Sequence, residues 1–167
     1  MQLNHYNTTF SEKSHDIILA CDAVNSPANI GSLFRIADSF GIKKILFGRV
    51  TVDISSPRLK RTARSTQNWI PMADNIDLFS EIKSLSVQGF IPIALEITEK
   101  STALNTLNIP KNAKIIVVLG DEQLGVSSRI LELCETHVHI PMYGKNSSMN
   151  VVQAASVALY EITKQLN

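Results

Sequence analysis

The chain has 167 residues, of which 44% are hydrophobic and 19% are charged, and its formal net charge is +1. This composition is that of an ordinary globular domain and excludes a disordered or fibrous protein. A net charge so close to zero points to no particular partner, so any nucleic-acid surface has to come from local clustering of cations.

No apolar run approaches the roughly 20 residues that cross a bilayer, and residues 1–14 lack the apolar centre of a signal peptide. We therefore expect a cytoplasmic protein with one domain over residues 1–167, in which 1–15 form an N-terminal tail. Cys21 and Cys134 fit neither a disulfide framework nor a metal pattern, and we expect both to be buried thiols.

Short apolar runs alternate with amphipathic helical patterns, which predicts an α/β fold with a mostly parallel sheet flanked by helices. Five or six strands are expected, and the clearest candidates are 17–21, 44–47, 90–95, 115–119 and 137–140. Helical spacing of apolar residues and flanking Gly, Pro or Ser predict four helices: one from Pro27 that stops before Gly41, one from Leu78 to near Gly89, a short one after Ser127, and one from about Asn150 to Leu166.

Polar residues that neither a strand nor a helix requires are concentrated in three segments, Asn25–Arg35, Gly120–Gly125 and Ile140–Asn150. Each segment lies where a strand ends or a helix begins, so we expect the three to line one pocket. Plainer explanations exist for the same residues. Arg35 suits a solvated helix face, Glu122 suits an exposed turn, and Ser148 or Asn150 suits the N-cap of the last helix.

These segments contain neither a G-x-G-x-x-G nor a G-x-x-x-x-G-K-[ST] phosphate-binding pattern. A dinucleotide or a nucleoside triphosphate is therefore disfavoured as a ligand, whereas a cofactor without phosphates remains open. His137 and His139 alternate along a predicted strand, but no Cys or carboxylate at ligand spacing accompanies them. We expect no metal site there.

A cationic run places Arg58, Lys60, Arg61 and Arg64 within seven residues. Such a run either solvates a helix face or binds the phosphate backbone of a nucleic acid. Trp69, the only tryptophan, follows it closely. This side chain would stack on a base or fill the core, and the burial habits of tryptophan favour the core.

Three motifs in this order, Asn29…Arg35, Gly120-x-Glu122-x-x-Gly125, and Ile140-Pro141-Met142 followed by Ser148-x-Asn150, resemble the SpoU or TrmH-type RNA 2′-O-ribose methyltransferases of the SPOUT superfamily. The resemblance covers about residues 16–166 and leaves no room for an accessory RNA-binding domain. It implies a deep C-terminal trefoil knot, S-adenosylmethionine as cofactor, and an RNA substrate, with tRNA favoured over rRNA. A homodimer is expected because a minimal member has to build its RNA surface from two copies, and the first and last amphipathic helices offer apolar faces.

The resemblance also assigns roles to residues. The catalytic residues it implies are Asn29, Arg35, Glu122, Ser148 and Asn150, with Arg35 acting as base or as phosphate clamp. The cofactor-binding residues it implies are Leu95, Glu96, Gly120, Glu122, Gly125, Ile140, Met142, Ser148 and Met149. Arg58, Lys60, Arg61 and Arg64 are expected to bind RNA. The alternatives are a tRNA base methyltransferase of the same superfamily and a catalytically silent RNA-binding dimer.

Overall fold

The computed structural model describes residues 11–167, so the first ten residues of the expected N-terminal tail lie outside the described residues. The strands are β1 (His15–Asp22), β2 (Ile42–Gly48), β3 (Met72–Ile76), β4 (Phe90–Leu95), β5 (Thr102–Ala103), β6 (Lys114–Gly120) and β7 (Thr136–His139). The helices are α1 (Pro27–Ser39), α2 (Pro57–Ala63), α3 (Leu78–Val87), α4 (Ser128–Leu131) and α5 (Val151–Leu166). The five predicted strands and four predicted helices are all present.

The seven strands form one sheet in the order β3-β2-β1-β6-β4-β7-β5, and every neighbouring pair is parallel. This arrangement confirms the predicted α/β fold. The central strands β1 and β6 are paired in register, with Ile17 opposite Ile115 and Cys21 opposite Leu119. The trefoil knot stays a prediction.

Helices cover both faces of the sheet because alternate residues of the central strands point to opposite sides. Ile17 and Leu19 of β1 belong to a core that also contains the apolar faces of α1 and α5. Ile18 and Ala20 belong to the opposite core, which is covered by α3 and α4. The near-continuous apolar sequence of β1 follows from burial on both faces.

Three elements and one side chain differ from the prediction made from the sequence. The edge strands β3 and β5 escaped it because one is half-buried and polar and the other has only two residues. Helix α2 escaped it because the cations of its sequence hide the two buried residues, Leu59 and Ala63. The expectation that Trp69 fills the core is wrong, since 56% of this residue is exposed.

Both cysteines are buried, as predicted. Burial raises the pKa of the Cys21 thiol far above its ordinary value and raises the pKa of Cys134 to about 12. Neither thiol forms a nucleophilic thiolate near neutral pH. Within residues 11–167, no helix has the length and apolar character that crossing a membrane requires.

Candidate functional site

The polar segments meet at the carboxyl edge of the sheet, where they follow strands β1, β6 and β7, and the end of β4 lies between β6 and β7. A cavity of about 430 Å³ lies there, and a smaller cavity of about 110 Å³ adjoins it. The two cavities share the lining residues Leu95, Glu96, Ile97, Ser148, Met149 and Ala154. The loops after three parallel strands therefore form one pocket region, where ligands of open α/β sheets bind.

All nine residues assigned to the cofactor line these cavities. The larger cavity is lined by Leu95, Glu96, Gly120, Glu122, Gly125, Ser148 and Met149. Ile140 and Met142 line the smaller one. Their common location supports a single binding region, while their contact with a ligand stays a prediction.

Two glycines allow the loop after β6 to fold back tightly beside the cavity. A Cβ at Gly120 would lie 2.2 Å from the carbonyl carbon of Gly125 and 2.3 Å from the Val126 nitrogen. Gly125 itself has a φ of +67°, and a Cβ there would lie 2.6 Å from Glu96 Oε2. Glu96 accepts hydrogen bonds from the main-chain nitrogens of Val126 and Ile97, both at 3.0 Å. The main chain of this loop is therefore packed directly against the end of β4.

Asp121 organises the tip of the same loop. Its Oδ1 accepts hydrogen bonds from the main-chain nitrogens of Gln123 at 2.9 Å and Leu124 at 3.0 Å. These amides hold the pKa of Asp121 below its usual range, so its carboxylate is ionised at neutral pH.

The larger cavity has an acidic lining. Its charged lining residues, among those the structure describes, are Glu96, Asp121 and Glu122. Such a lining repels phosphate groups and attracts a ligand that carries positive charge.

Three predicted catalytic residues form a hydrogen-bonded triangle at the mouth of this cavity. Asn29, in the first turn of α1, donates through Nδ2 to Glu122 Oε1. Asn150 Nδ2 lies 3.3 Å from the same Glu122 oxygen and 3.2 Å from Asn29 Oδ1. Asn150 also caps α5, because its Oδ1 accepts from the Val152 nitrogen at 2.9 Å. The capping role and the site role of Asn150 therefore coexist.

The other two predicted catalytic residues stand outside this triangle. Arg35 is exposed on α1, about 9 Å beyond Asn29 along the helix axis, and its guanidinium forms no ion pair with any residue from 11 to 167. Ser148 lines both cavities and is exposed. The structure thus leaves the Arg35 side chain available to a ligand.

The predicted RNA-binding residues lie on the solvent side of α2 and at its end. Arg58, Lys60, Arg61 and Arg64 are all exposed. None forms an ion pair with a carboxylate between residues 11 and 167. These four side chains with Arg35 are called the cationic surface below.

Close packing of α2 on α1 brings the cationic surface to the site. A Cβ at Gly31 would lie 2.2 Å from Thr62 Oγ1 and 2.4 Å from the Leu59 carbonyl oxygen. Thr62 Oγ1 donates to the carbonyl of Ala28 at 3.0 Å. Since Ala28 precedes Asn29, helix α2 lies beside the polar triangle.

The sequence analysis missed a buried carboxylate at the end of β1. Asp22 is only 2% exposed, and its Oδ2 accepts from the Ser127 nitrogen at 2.8 Å. Its Oδ1 accepts from Arg49 Nη2 at 2.6 Å. Asp22 thus ties the loop after β6 to the ends of β1 and β2. In the sequence, Asp22 directly follows the apolar run 17–21, and this acid at the end of a buried strand could have identified the residue.

The two strand histidines have hydrogen-bond partners near the cavities. His137 Nδ1 lies 2.9 Å from Thr98 Oγ1, and its Nε2 lies 3.0 Å from the Cys134 carbonyl oxygen. His139 Nδ1 lies 2.9 Å from Ser101 Oγ. No cluster of three metal-ligating side chains exists among residues 11–167.

Known proteins resemble this chain in both sequence and fold. The chain is 28% identical over 145 residues to the 23S rRNA (guanosine(2553)-2′-O)-methyltransferase RlmP of Bacillus subtilis, covering 87% of this chain and 57% of that protein. It is 28% identical over 164 residues to the tRNA (guanosine(18)-2′-O)-methyltransferase of Saccharomyces cerevisiae, covering 93% of this chain and 11% of that protein. The chain therefore spans little more than half of the first relative and a small part of the second.

A solved structure, the AdoMet-bound rRNA methyltransferase of Sinorhizobium meliloti, matches the fold with a TM-score of 0.82 at 24% identity, covering 93% of this chain and 58% of that one. The model of the SpoU rRNA Methylase family matches residues 16–160, which include the strands, glycines and polar triangle described above. On this match over most of its length, the chain belongs to the SpoU rRNA methylase family.

Proposed function

We propose that this chain transfers a methyl group from S-adenosylmethionine to a ribose 2′-hydroxyl of RNA. The observation that carries the proposal is the juxtaposition of an acidic cavity and a surface of cations that form no ion pair within residues 11–167, with the Asn29–Glu122–Asn150 triangle between them. One side suits a cationic small molecule and the other suits a polyanion. The names of the relatives from Bacillus and yeast support the same reaction.

S-adenosylmethionine fits the cavity because its sulfonium is positively charged and it has no phosphate. Glu96, Asp121 and Glu122 supply the complementary charge, and the nine cofactor residues would hold it, largely through main-chain groups of the three loops. When bound, it supplies an electrophilic methyl group whose transfer leaves a neutral thioether. The protein's main contribution is alignment of the ribose oxygen with that methyl group.

Arg35 and the triangle would hold the other reactant. A guanidinium ordinarily stays protonated, so we assign Arg35 to clamping a substrate phosphate and to stabilising charge on the 2′-oxygen as its proton passes to solvent water. Asn29 and Asn150 would orient the ribose through their amides, and Glu122 fixes both amides. Ser148 would contribute to the floor of the cavity.

The test is methylation of RNA taken from a strain that lacks the gene. Purified protein is incubated with methyl-labelled S-adenosylmethionine and, separately, with tRNA and rRNA, and digested nucleosides are identified by mass spectrometry. We expect one 2′-O-methylated nucleoside, with tRNA as the favoured substrate. Label on a base would instead identify a base methyltransferase. Absence of cofactor binding by calorimetry would identify a silent RNA-binding protein.

A homodimer is part of the proposal, although its surface differs from the one first expected. The apolar stripes of α1 and α5 are mostly packed in the core of this chain. Val157 and Tyr160 of α5 remain 43% and 65% exposed and are available to a second copy. Sedimentation at micromolar concentration should give twice the monomer mass, and a monomer there would contradict this part.

We also propose a cytoplasmic location. The RNA substrate and the two buried free thiols agree with a reducing compartment that contains RNA. Fractionation of cells expressing a tagged full-length protein should place it with the cytoplasmic markers, and recovery with membranes would contradict this.

A further inference from the structure

The one tryptophan of the chain lies on the surface beside the proposed RNA site. Trp69 follows a short 3-10 turn, Thr66–Asn68, and is 56% exposed. Tryptophan is highly buried on average and is enriched at interfaces, so a half-exposed indole identifies a candidate binding surface.

The indole is held in place at its polar edge. Its Nε1 donates to Asp38 Oδ1 at 2.8 Å. The hydrogen-bonding capacity of the ring is thereby satisfied, and what remains exposed is apolar ring surface. Asp38 lies three residues after Arg35, so these two side chains are neighbours on the same side of α1.

The backbone around Trp69 is also fixed. Arg64 and Ser65 have φ values of 54° and 75°, which reverse the chain after α2 and return it to α1. Thr66 is only 4% exposed, and its Oγ1 donates to the carbonyl of Ala63 at 2.6 Å. Trp69 therefore follows a turn whose backbone is fixed by a buried Thr66 and its hydrogen bond, which lowers the cost of ordering it on binding.

We propose that Trp69 is a stacking platform for a nucleobase of the RNA substrate, held flat by Asp38 beside Arg35. The inference rests on the proposed function and adds a base-binding position to it. Single-stranded RNA is recognised by aromatic rings on which unstacked bases lie, next to cations that hold the phosphates. Trp69 supplies the ring, and Arg35, Arg61 and Arg64 on the adjoining helices supply exposed cations that have no ion pair in the described part of the chain.

The charge of the surface around Trp69 favours RNA over a second copy of this chain as its binding partner. No cation of this surface forms an ion pair with a carboxylate among residues 11–167, and the carboxylate of Asp38 beside it is hydrogen-bonded to the indole. A second copy packed there by two-fold symmetry would bring the same cations into contact with themselves, which is unfavourable. A polyanion instead neutralises them.

Tryptophan emission, excited at wavelengths that tyrosine does not absorb, reports on Trp69 alone because the chain has one tryptophan. Full-length protein is titrated at low salt with a ten-nucleotide oligoadenylate and with an abasic ribose-phosphate oligomer of equal length, and binding is followed independently by anisotropy of labelled oligomers. We expect strong quenching by oligoadenylate and little by the abasic oligomer at equal saturation. Equal emission changes for both, or none for oligoadenylate, would overturn the proposal.

Substitutions test the same point without fluorescence. Trp69→Ala should weaken oligoadenylate binding about tenfold and leave binding of the abasic oligomer and of S-adenosylmethionine unchanged. Trp69→Phe should recover most of the loss, because a ring remains. Val87→Ala, an 88% exposed residue at the end of α3, is the control for loss of an exposed apolar side chain.

The outcomes separate this inference from the proposed function. Wild-type RNA affinity and methyl transfer in Trp69→Ala would reject the platform and leave the methyltransferase intact. Quenching by oligoadenylate in a protein that methylates no RNA would support base stacking and reject the methyl transfer. Emission that shifts with protein concentration and ignores RNA would assign Trp69 to contact between copies.

Discussion

The cavity and the cationic surface of the proposed site differ in construction, because main chain forms most of the first and side chains form the second. The cavity side consists largely of main chain brought to its closest approach at Gly120 and Gly125, with acids that are held by amides. The cationic surface consists of long exposed side chains that have no partner among residues 11–167. A change on the first side should therefore alter structure, and a change on the second should alter function alone.

The largest effect is expected for Gly120→Ala. The added Cβ would meet main-chain atoms of the Gly125–Val126 peptide that cannot move away freely. We expect a loss of about 3 kcal/mol in unfolding free energy, or roughly 6–12 °C in Tm, together with loss of cofactor binding. Thermal unfolding and calorimetry measure both.

Gly144→Ala is the matched control for that change. Gly144 belongs to the loop after β7, and a Cβ there would meet no atom within 4 Å. Its Tm should stay close to that of the wild type. Equal behaviour of the two variants would refute the view that close main-chain approach builds the cavity.

Arg35→Ala should be nearly silent in structure and severe in turnover. The side chain is exposed, so Tm and S-adenosylmethionine affinity should be unchanged. Loss of a charge-stabilising group should lower the rate about a hundredfold or more, measured in single-turnover methyl transfer.

Arg35→Lys distinguishes the two roles first considered for this residue. Lysine keeps the charge but loses the planar fork that grips a phosphate, and its amine can lose a proton. Failure to restore the rate would favour the clamp, whereas rescue with a new alkaline pH optimum would favour a base. Near-normal turnover in Arg35→Ala would show that Arg35 has no role in the site.

Asn150 contacts Glu122 in the site and also caps α5, and two substitutions separate these roles. Asn150→Asp keeps an oxygen that caps α5 but places a second carboxylate against Glu122, so stability should be nearly kept while turnover falls at least tenfold. Asn150→Ala should lose about 1 kcal/mol in unfolding free energy as well. Chemical denaturation and turnover of both variants test this, and equal stability losses would contradict it.

Arg61→Glu should give the smallest of these effects. Reversal of one exposed charge should weaken RNA binding several-fold and reduce the slope of log affinity against log salt by roughly one or more. Lys83→Glu, an exposed charge reversal on α3 across the sheet, is the control. An unchanged slope of log affinity against log salt for Arg61→Glu would show that Arg61 does not contact an RNA phosphate.

Sequence patterns predicted those parts of the molecule that depend on local spacing. The apolar stripes of α1 and α5 and the buried runs of β1 and β6 follow from periodicity, and the meeting of Asn29, Glu122 and Asn150 follows from their places at strand and helix ends. Parallel connections bring such ends to one edge of the sheet.

The missed features depend on pairings between distant segments. Asp22 gains its role only because β1 lies beside β6, which brings Ser127 to its carboxylate. The indole of Trp69 is hydrogen-bonded at the surface to Asp38, 31 residues earlier in the chain. Neither partner is marked by composition or periodicity, so local reasoning assigned Trp69 to the core.

The missing side chain at Gly31 has a consequence for the kinetics of association. With no Cβ between them, α1 and α2 are in main-chain contact, so the helices that carry Arg35 and the cations of α2 are held at a fixed spacing. An RNA molecule would therefore meet these charges already in place, and no protein segment would have to fold before binding. Encounter should therefore be fast and strongly slowed by salt, whereas residence time should depend on how well the RNA itself fits.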